Sequence, residues 1–396
     1  MQIVDRNQVL AIPPLWRLGF RPLFLAGSVL ALLSIPLWLA ALLGLFANWQ
    51  PTGGWLAWHR HEMVFGFVVA IIAGFLLTAV QTWTGRVGLS GKPLIVLTAM
   101  WLAARFGWLL GLPPLWLLPL ELAFLPAVAV LMAQSLWAVK QSRNYPVVLV
   151  LSLLAAADAV VMAGLVTANE DWQRRGVLAA LWLIIALIGL IGGRVIPFFT
   201  QRGLRKPTAT VPWPWLDNSL LGGTLLIAVC YALGLGNTPQ LGLAGLLIVI
   251  VTGHGVRWLR WHDVGLWRVP LLWSLYLAYV WLIVGMLGVA LWHLGVLTTA
   301  SPAFHALTMG AISGMILAMI ARVTLGHTGR PLQEPAAMPL AFALFHIGVA
   351  VRVFGVMGWP TSALLIASVC WTLAFALYLW YYAPMLCQAR IDGNMG

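Results

Sequence analysis

The chain is built from long apolar runs, each close to the roughly 20 residues that a helix needs to cross a bilayer. Twelve such runs, bounded by proline, glycine and charged residues, predict an all-α polytopic membrane protein. They cover residues 20–46, 58–84, 93–111, 114–139, 146–167, 174–200, 214–235, 239–261, 270–296, 302–325, 336–357 and 361–387. Composition agrees, since 62% of the residues are hydrophobic and only 8% are charged, which a water-soluble domain does not tolerate.

Positive charge is the second global feature, with a formal net charge of +12. Lysine and arginine gather at one set of span ends, as at Arg86, Arg202 and Arg330, whereas the opposite ends have few. Because short cytoplasmic loops are enriched in these residues, both termini are predicted to be cytoplasmic. The excess charge is therefore interpreted as a topology signal, and no nucleic-acid partner is expected.

Three prolines mark the starts of the first, fifth and ninth spans. Pro22, Pro146 and Pro270 follow one another at the same interval of 124 residues (146 minus 22, 270 minus 146). Proline suits the first turn of a helix, where no backbone donor is lost. The repeated spacing predicts a single integral membrane domain of three four-helix units, at about residues 1–140, 141–262 and 263–396.

Two spans carry the same pattern, which begins with histidine and ends with Thr-Gly-Arg. It reads HEMVFGFVVAIIAGFLLTAVQTWTGR at residues 61–86 and HALTMGAISGMILAMIARVTLGHTGR at residues 305–330. A glycine follows each histidine at an interval of five (66 minus 61, 310 minus 305). The sixth span ends similarly but has Val177 in place of the histidine. Ionisable side chains within a membrane are usually functional, so His61 and His305 are the leading site candidates.

The polar residues of the spans are expected to gather near the periplasmic boundary around one wet or cofactor-filled cavity, because burying each charge separately is costly. Imidazole binds haem iron, copper and zinc, and facing helices of a bundle hold such groups. The expected cofactor is haem b, with copper left open as a second metal. Cofactor-binding residues are predicted to be His59, His61, His305, Arg60, Arg105 and Arg352, with the arginines serving the haem propionates. Predicted metal ligands are His61, His305, His59 and His293 at this boundary, with His346 near the midplane and His254 in the inner half of its span as candidates for an inner centre.

His59 and His61 cannot easily share one metal, because side chains two apart on a helix point about 160° away from each other. If both are ligands, each serves a different centre. The alternative interpretation places His59 before the helix, in contact with lipid headgroups. His327 is expected to have a structural role on the cytoplasmic side, and His262 is expected to be solvated.

Three carboxylates within the spans are candidates for a proton relay, namely Glu62, Glu121 and Asp158. Glu62 directly follows His61 and could orient a neighbouring ligand. The structural alternative is that Glu121 is neutralised by an ion pair with Arg105. The chain has no glycine-rich phosphate loop and no Ser-His-Asp order, so nucleotide hydrolysis and acyl transfer have no support.

Several strings, taken together, resemble the NnrS family of haem- and copper-containing bacterial inner-membrane proteins. They read WRLGFRPLFL at residues 16–25, WHRHEMVFGF at 58–67, GRVIPFFT at 193–200 and HALTMGAISGMILAMIARVTLGHTGRPL at 305–332. They follow one another along almost the whole chain. The resemblance implies a role in nitric oxide metabolism, denitrification or resistance to nitrosative stress. Tyr276 stands where many family members have histidine, so a metal site that uses this position is altered here.

Two functions are open at this point. The first is a haem protein that binds or reduces nitric oxide, with His61 and His305 as axial ligands and quinol or a redox protein as the electron donor. The two imidazoles either clasp one haem or hold separate cofactors. The second function is a transporter or permease whose outer polar cluster binds the substrate.

Overall fold

The computed structural model describes residues 10–394, and the regular structure in that range is entirely helical. Twelve long helices follow one another, and four short 3₁₀ turns lie between or before them. The long helices, α1 to α12 in chain order, are Phe20–Leu42, Gly54–Thr84, Lys92–Leu109, Pro114–Ala138, Tyr145–Val166, Glu170–Gly203, Pro214–Ala232, Leu241–Trp261, Pro270–His293, Ser301–His327, Met338–Gly355 and Pro360–Cys387.

Eleven of these helices are long and apolar enough to cross a membrane. The exception is α3, which fills the third predicted span but carries Lys92 and Arg105 within its 18 residues. Large apolar side chains such as Leu241 and Trp380 are 74% and 77% exposed, which suits contact with lipid. The chain is therefore a multi-pass membrane protein by length and composition. The cytoplasmic placement of the termini stays a prediction, and residues 1–9 and 395–396 lie outside the described range.

Proline and glycine set the helix boundaries as the sequence predicts. Pro146 and Pro270 lie in the first turns of α5 and α9, where the missing N–H breaks no intrahelical bond. The two Thr-Gly-Arg motifs are helix ends. Gly85 and Gly329 follow α2 and α10 in the left-handed conformation, with φ of +67° and +75°, which ends a helix without Cβ strain.

Contacts between residues divide the chain into two compact units. Unit one comprises the residues up to Val177, Ile320–Pro335 and the residues from Phe375 onward, and unit two comprises Leu178–Met319 and Ala336–Ala374. The core of unit one is aromatic, with Trp58 and Trp108 packed with Leu117 and Met162. The threefold repeat of four-helix units is inferred from the sequence pattern alone and stays a prediction.

Arginine side chains close the helix ends within unit one. Arg21, which is fully buried in α1, donates to the backbone oxygens of Leu386 and Gln388 at 2.9 and 2.6 Å. Arg390 donates to the backbone oxygen of His327 at 3.0 Å. These carbonyls end α12 and α10, where no intrahelical donor is available. The His327 ring lies 5.5 Å from the Phe20 ring, consistent with the structural role expected from the sequence.

Candidate functional site

Both repeated histidines stand immediately before a π-helical segment. His61 is followed by Glu62–Val68 within α2, and His305 is followed by Ala306–Ser313 within α10. The sixth helix, which has Val177 at the matching position, is an uninterrupted α-helix. A π-segment widens a helix by one residue and is often found at functional sites. The histidine and the π-segment therefore occur together in two copies and are both missing from the third.

The spacing of histidine and glycine that the two helices share has a packing reason. A Cβ on Gly66 would lie 2.9 Å from Arg105 Nη1 and from Glu62 Oε2. A Cβ on Gly310 would lie 2.6 Å from the Cβ of Trp281. Each π-segment is thus pressed against neighbouring side chains at its glycine, which lets polar or aromatic groups approach the backbone closely.

His61 is held between two carboxylates in unit one. Its Nε2 lies 3.1 Å from Asp158 Oδ1 on α5, and its Nδ1 lies 3.1 Å from Glu62 Oε1. The imidazole also stacks on Trp108 of α3, with 4.4 Å between ring centroids. His61 and Glu62 have no exposed surface. Both ring nitrogens are therefore engaged, and the ring orientation is fixed from three sides.

Arg105 joins the remaining acidic groups to this pair. Its Nη1 lies 3.2 Å from Glu62 Oε1, and its Nη2 forms an ion pair with Glu121 of α4. Trp108 donates from Nε1 to Glu121 Oε1 at 2.6 Å. The ion pair between Arg105 and Glu121 that the sequence offered as the structural alternative is present. The same contacts do not separate that role from the proton relay, since Glu121 also approaches His61 and Asp158.

These five residues, His61, Glu62, Arg105, Glu121 and Asp158, form what we term the α2–α5 charge cluster. None is more than 6% exposed. The cluster contains three carboxylates and one guanidinium, so negative groups outnumber the fixed positive one. A cavity of about 10 Å³, bordered by Arg105, Glu121 and Asp158, opens beside them. Buried ionisable groups in a membrane helix bundle are costly unless they are paired, so the cluster is a strong candidate for function.

A second histidine pair lies in unit two. His305 Nδ1 contacts the backbone oxygen of Ser301 at 2.8 Å, which makes Nδ1 the protonated nitrogen. Arg352 Nη2 lies 3.1 Å from Nε2 and 3.2 Å from Nδ1, and because Nδ1 carries the proton, Nε2 is the nitrogen that accepts. Arg352 belongs to another π-helical segment, Val351–Gly355, at the end of α11. Two π-segments thus present these side chains to each other.

His254 lies in a separate polar group of unit two. Its Nδ1 is 2.6 Å from the hydroxyl of Tyr279, while its Nε2 is buried and has no hydrogen-bond partner. Arg257 donates to the backbone oxygen of Gly189 at 2.9 Å and pairs with Asp217 at 3.0 Å. The free Nε2 keeps His254 available as a ligand.

The two other predicted ligands of unit two are already satisfied. His293 accepts at Nδ1 from the backbone N–H of Gln240 at 3.1 Å and meets the hydroxyl of Tyr231 at 3.1 Å. His346 accepts at Nδ1 from Trp281 Nε1 at 3.2 Å and also bonds the backbone of Ser274. These hydrogen bonds hold both imidazoles in place, and their role as metal ligands stays a prediction.

His59 and Arg60 stand apart from the α2–α5 charge cluster. The His59 ring stacks on Trp38 of α1, with 4.7 Å between centroids and an interplanar angle of 8°. His59 lies within the first turns of α2, whereas the alternative interpretation places it before the helix. Arg60 interacts electrostatically with Arg174 and Glu170. His59 and His61 therefore contact different helices, in line with their spacing.

The residues expected to surround one cavity are divided between the two units, and their gathering around one cavity stays a prediction. Unit one holds His61, Arg105 and Glu121, and unit two holds His305 with Arg352. Sequence reasoning missed the contact between His61 and Asp158, because nothing in the spacing relates a residue of α2 to one of α5. It also missed Tyr279, which only its partner His254 identifies.

Comparison with known proteins supports one relationship. No curated protein matches the chain. A family model described as NnrS protein matches residues 14–390, which is nearly the whole chain. The strings that resembled this family include the repeated histidines and their π-segments. The chain therefore belongs to the NnrS family.

Proposed function

We propose that this chain is a haem b protein of the bacterial cytoplasmic membrane that binds nitric oxide, with His305 as an axial ligand and Arg352 beside a propionate. The observation that carries the proposal is the polarity of the His305 ring. Its Nδ1–H is donated to the Ser301 carbonyl, so the lone pair is on Nε2. Metal-bound histidines usually have this arrangement, in which a backbone carbonyl fixes the tautomer of the ligand.

Arg352 supplies the second feature that suits haem. Its Nη1 is buried and has no hydrogen-bond partner, while its Nη2 faces His305. A partly buried guanidinium with a free N–H group is a good partner for a carboxylate. A haem propionate would satisfy that donor. The donor set at His305 and Arg352 therefore fits the group that the family implies.

His61 does not fit haem in the same way. Its two nitrogens face Glu62 and Asp158, and its ring is covered by Trp108. A haem would have to displace Glu62 or Asp158 from His61, whereas at His305 it would displace only the Arg352 guanidinium, which would then face the propionate. We therefore assign haem to the His305 side and do not use His61 as its second ligand.

The protein's own residues would set the conditions at such a site. Haem iron, when bound, would supply the coordination position for nitric oxide. Nitric oxide is uncharged, so an apolar helix bundle admits it while excluding ions. Arg352 would hold one end of the macrocycle, and Ser301 would keep the His305 ring in its ligating tautomer. Reduction of nitric oxide would further require electrons from quinol or a redox protein. Copper stays open as a second metal.

The ligand assignment is tested by substitution. His305→Ala, purified from haem-sufficient cells, should lose most of the haem that the wild-type protein retains. His262→Ala is the matched control, because His262 follows α8 and its ring packs near Tyr276, with 5.8 Å between the two ring centroids. Full haem content in the folded His305→Ala protein would contradict the assignment.

A further inference from the structure

We propose that His61, Glu121 and Asp158 bind one divalent metal ion of the Mn²⁺, Fe²⁺ or Zn²⁺ class, at a site that uses none of the residues proposed above to hold haem. The site lies wholly within unit one, and the proposal does not depend on haem binding. One imidazole nitrogen with two carboxylate oxygens suits these ions, whereas Cu⁺ prefers the softer sulfur of cysteine or methionine.

The ligand atoms already converge. One atom each from His61, Glu121 and Asp158 lies within 4.8 Å of the other two, although the residues come from α2, α4 and α5. Ligands bound at about 2.0–2.2 Å from one ion stand roughly 3–4 Å apart. His61 Nε2 and Asp158 Oδ1 are at 3.1 Å, within that range. Small movements of the Glu121 carboxylate would complete the set.

Charge balance gives an independent argument. The α2–α5 charge cluster holds three carboxylates against the single guanidinium of Arg105, so it carries two net negative charges with a neutral His61 and one with a protonated His61. None of these groups is more than 6% exposed, so solvent does not screen their charges. A divalent cation bound to a neutral imidazole would bring the cluster to zero net charge. Metal ions are a usual means of compensating buried carboxylates.

The cluster also borders a small cavity and contains one unused acceptor. The cavity bordered by Arg105, Glu121 and Asp158 measures about 10 Å³, close to the minimum for one water-sized guest. Glu62 is fully buried, and its Oε2 has no hydrogen-bond partner. The cluster thus has an acceptor that the protein itself leaves unsatisfied. This is the second observation, besides the grouping of ligands, that favours binding of a cation within the cluster.

The surrounding residues have the positions of supporting groups. Glu62 Oε1 contacts His61 Nδ1, an arrangement that orients a ligating imidazole and raises its basicity. Arg105 and Trp108 both bond Glu121, so one oxygen of that carboxylate is restrained. We therefore assign Glu62, Arg105 and Trp108 to positioning, and His61, Glu121 and Asp158 to direct ligation.

The test measures metal bound by the full-length protein in detergent. Chelator-treated protein is dialysed against Mn²⁺ or Zn²⁺, and bound metal is counted by elemental mass spectrometry. We expect one ion per chain. Asp158→Asn and Glu121→Gln should each weaken the affinity at least about tenfold. Asp171→Asn, which removes an exposed carboxylate paired with Arg175, should leave it unchanged.

A measurement on the wild-type protein avoids dependence on variant folding. Pulsed electron paramagnetic resonance of the Mn²⁺-loaded chain should detect coupling to a ¹⁴N nucleus from His61. Absence of bound metal would overturn the proposal and would mean that protons neutralise the cluster. Bound Mn²⁺ without nitrogen coupling, or equal affinity in Asp158→Asn, would overturn it as well. His305→Ala should keep the metal even if it loses haem, so the two proposals fail separately.

Discussion

His61 Nε2 and Asp158 Oδ1 lie 3.1 Å apart and join α2 to α5 inside the apolar part of unit one. The contact occurs at the residue where α2 changes from an α-helix to a π-segment. With Glu62 on the other nitrogen, it fixes the imidazole between two acidic groups. Polar networks of this kind are strong when fully satisfied and costly when one member is removed.

Arg105 should be the most sensitive member of this network. Arg105→Met would keep much of the side-chain volume but remove the cation shared by Glu62 and Glu121. Breaking a buried ion pair on one side costs about 3–5 kcal/mol, because an uncompensated charge is left behind. We expect a clearly lower midpoint of thermal unfolding in detergent for the chelator-treated protein.

Arg175→Met provides the control for this loss. Arg175 pairs with Asp171 on an exposed face of α6, where removal of a salt bridge costs at most about 1 kcal/mol. Similar stabilities of the two variants would show that the carboxylates of the cluster do not depend on Arg105.

Gly310 should not tolerate a methyl group. Alanine usually stabilises a helix relative to glycine by about 0.5–1 kcal/mol. At this position, however, the new Cβ would lie 2.6 Å from the Trp281 Cβ, an atom fixed to the backbone of α9. Gly310→Ala should therefore destabilise the protein by about 1–3 kcal/mol, as overpacking commonly does.

The matched substitution is Gly245→Ala in α8, where a Cβ would meet no atom within 4 Å. Its unfolding midpoint should equal or exceed that of the wild-type protein. If Gly310→Ala behaves like Gly245→Ala, the glycine of the repeated pattern has no packing role.

Tyr279 and Tyr276 offer a direct comparison on α9. The Tyr279 hydroxyl contacts His254 Nδ1 at 2.6 Å and Arg257 Nη1 at 3.4 Å, and it is fully buried. Tyr279→Phe would leave His254 without a partner at either nitrogen, at a cost of about 1–3 kcal/mol. Tyr276 has a single 3.3 Å bond to the Trp258 carbonyl. Tyr276→Phe should therefore lose less stability. Denaturant unfolding of both variants measures the two losses, and a larger loss for Tyr276→Phe would contradict this expectation.

Much of the helical architecture could be predicted from the sequence because apolar length and helix-ending residues are local signals. Pro146, Gly85 and Gly329 each act at the position where they occur in the chain. The third predicted span is a helix, but its crossing of the membrane stays a prediction, because Lys92 and Arg105 lower the hydropathy of α3 and Arg105 is neutralised only by tertiary partners. The sequence of α3 alone does not show that tertiary partners neutralise the charge of Arg105.

The candidate sites were only partly predictable for a related reason. The repeated histidine could be identified, and the glycine five residues later was a valid sign of close packing. The π-segments could not be derived, because periodicity does not distinguish i→i+5 from i→i+4 bonding over so few residues. Likewise, the partners Asp158 of His61 and Ser301 of His305 depend on packing and ring orientation.

The absorption spectrum of the purified protein shows whether the protein carries haem. Protein prepared in detergent from haem-sufficient cells should have a Soret band that shifts on reduction with dithionite and shifts again when nitric oxide is added. A colourless preparation would contradict haem binding. A Soret band that does not respond to nitric oxide after reduction would contradict nitric oxide binding at the haem.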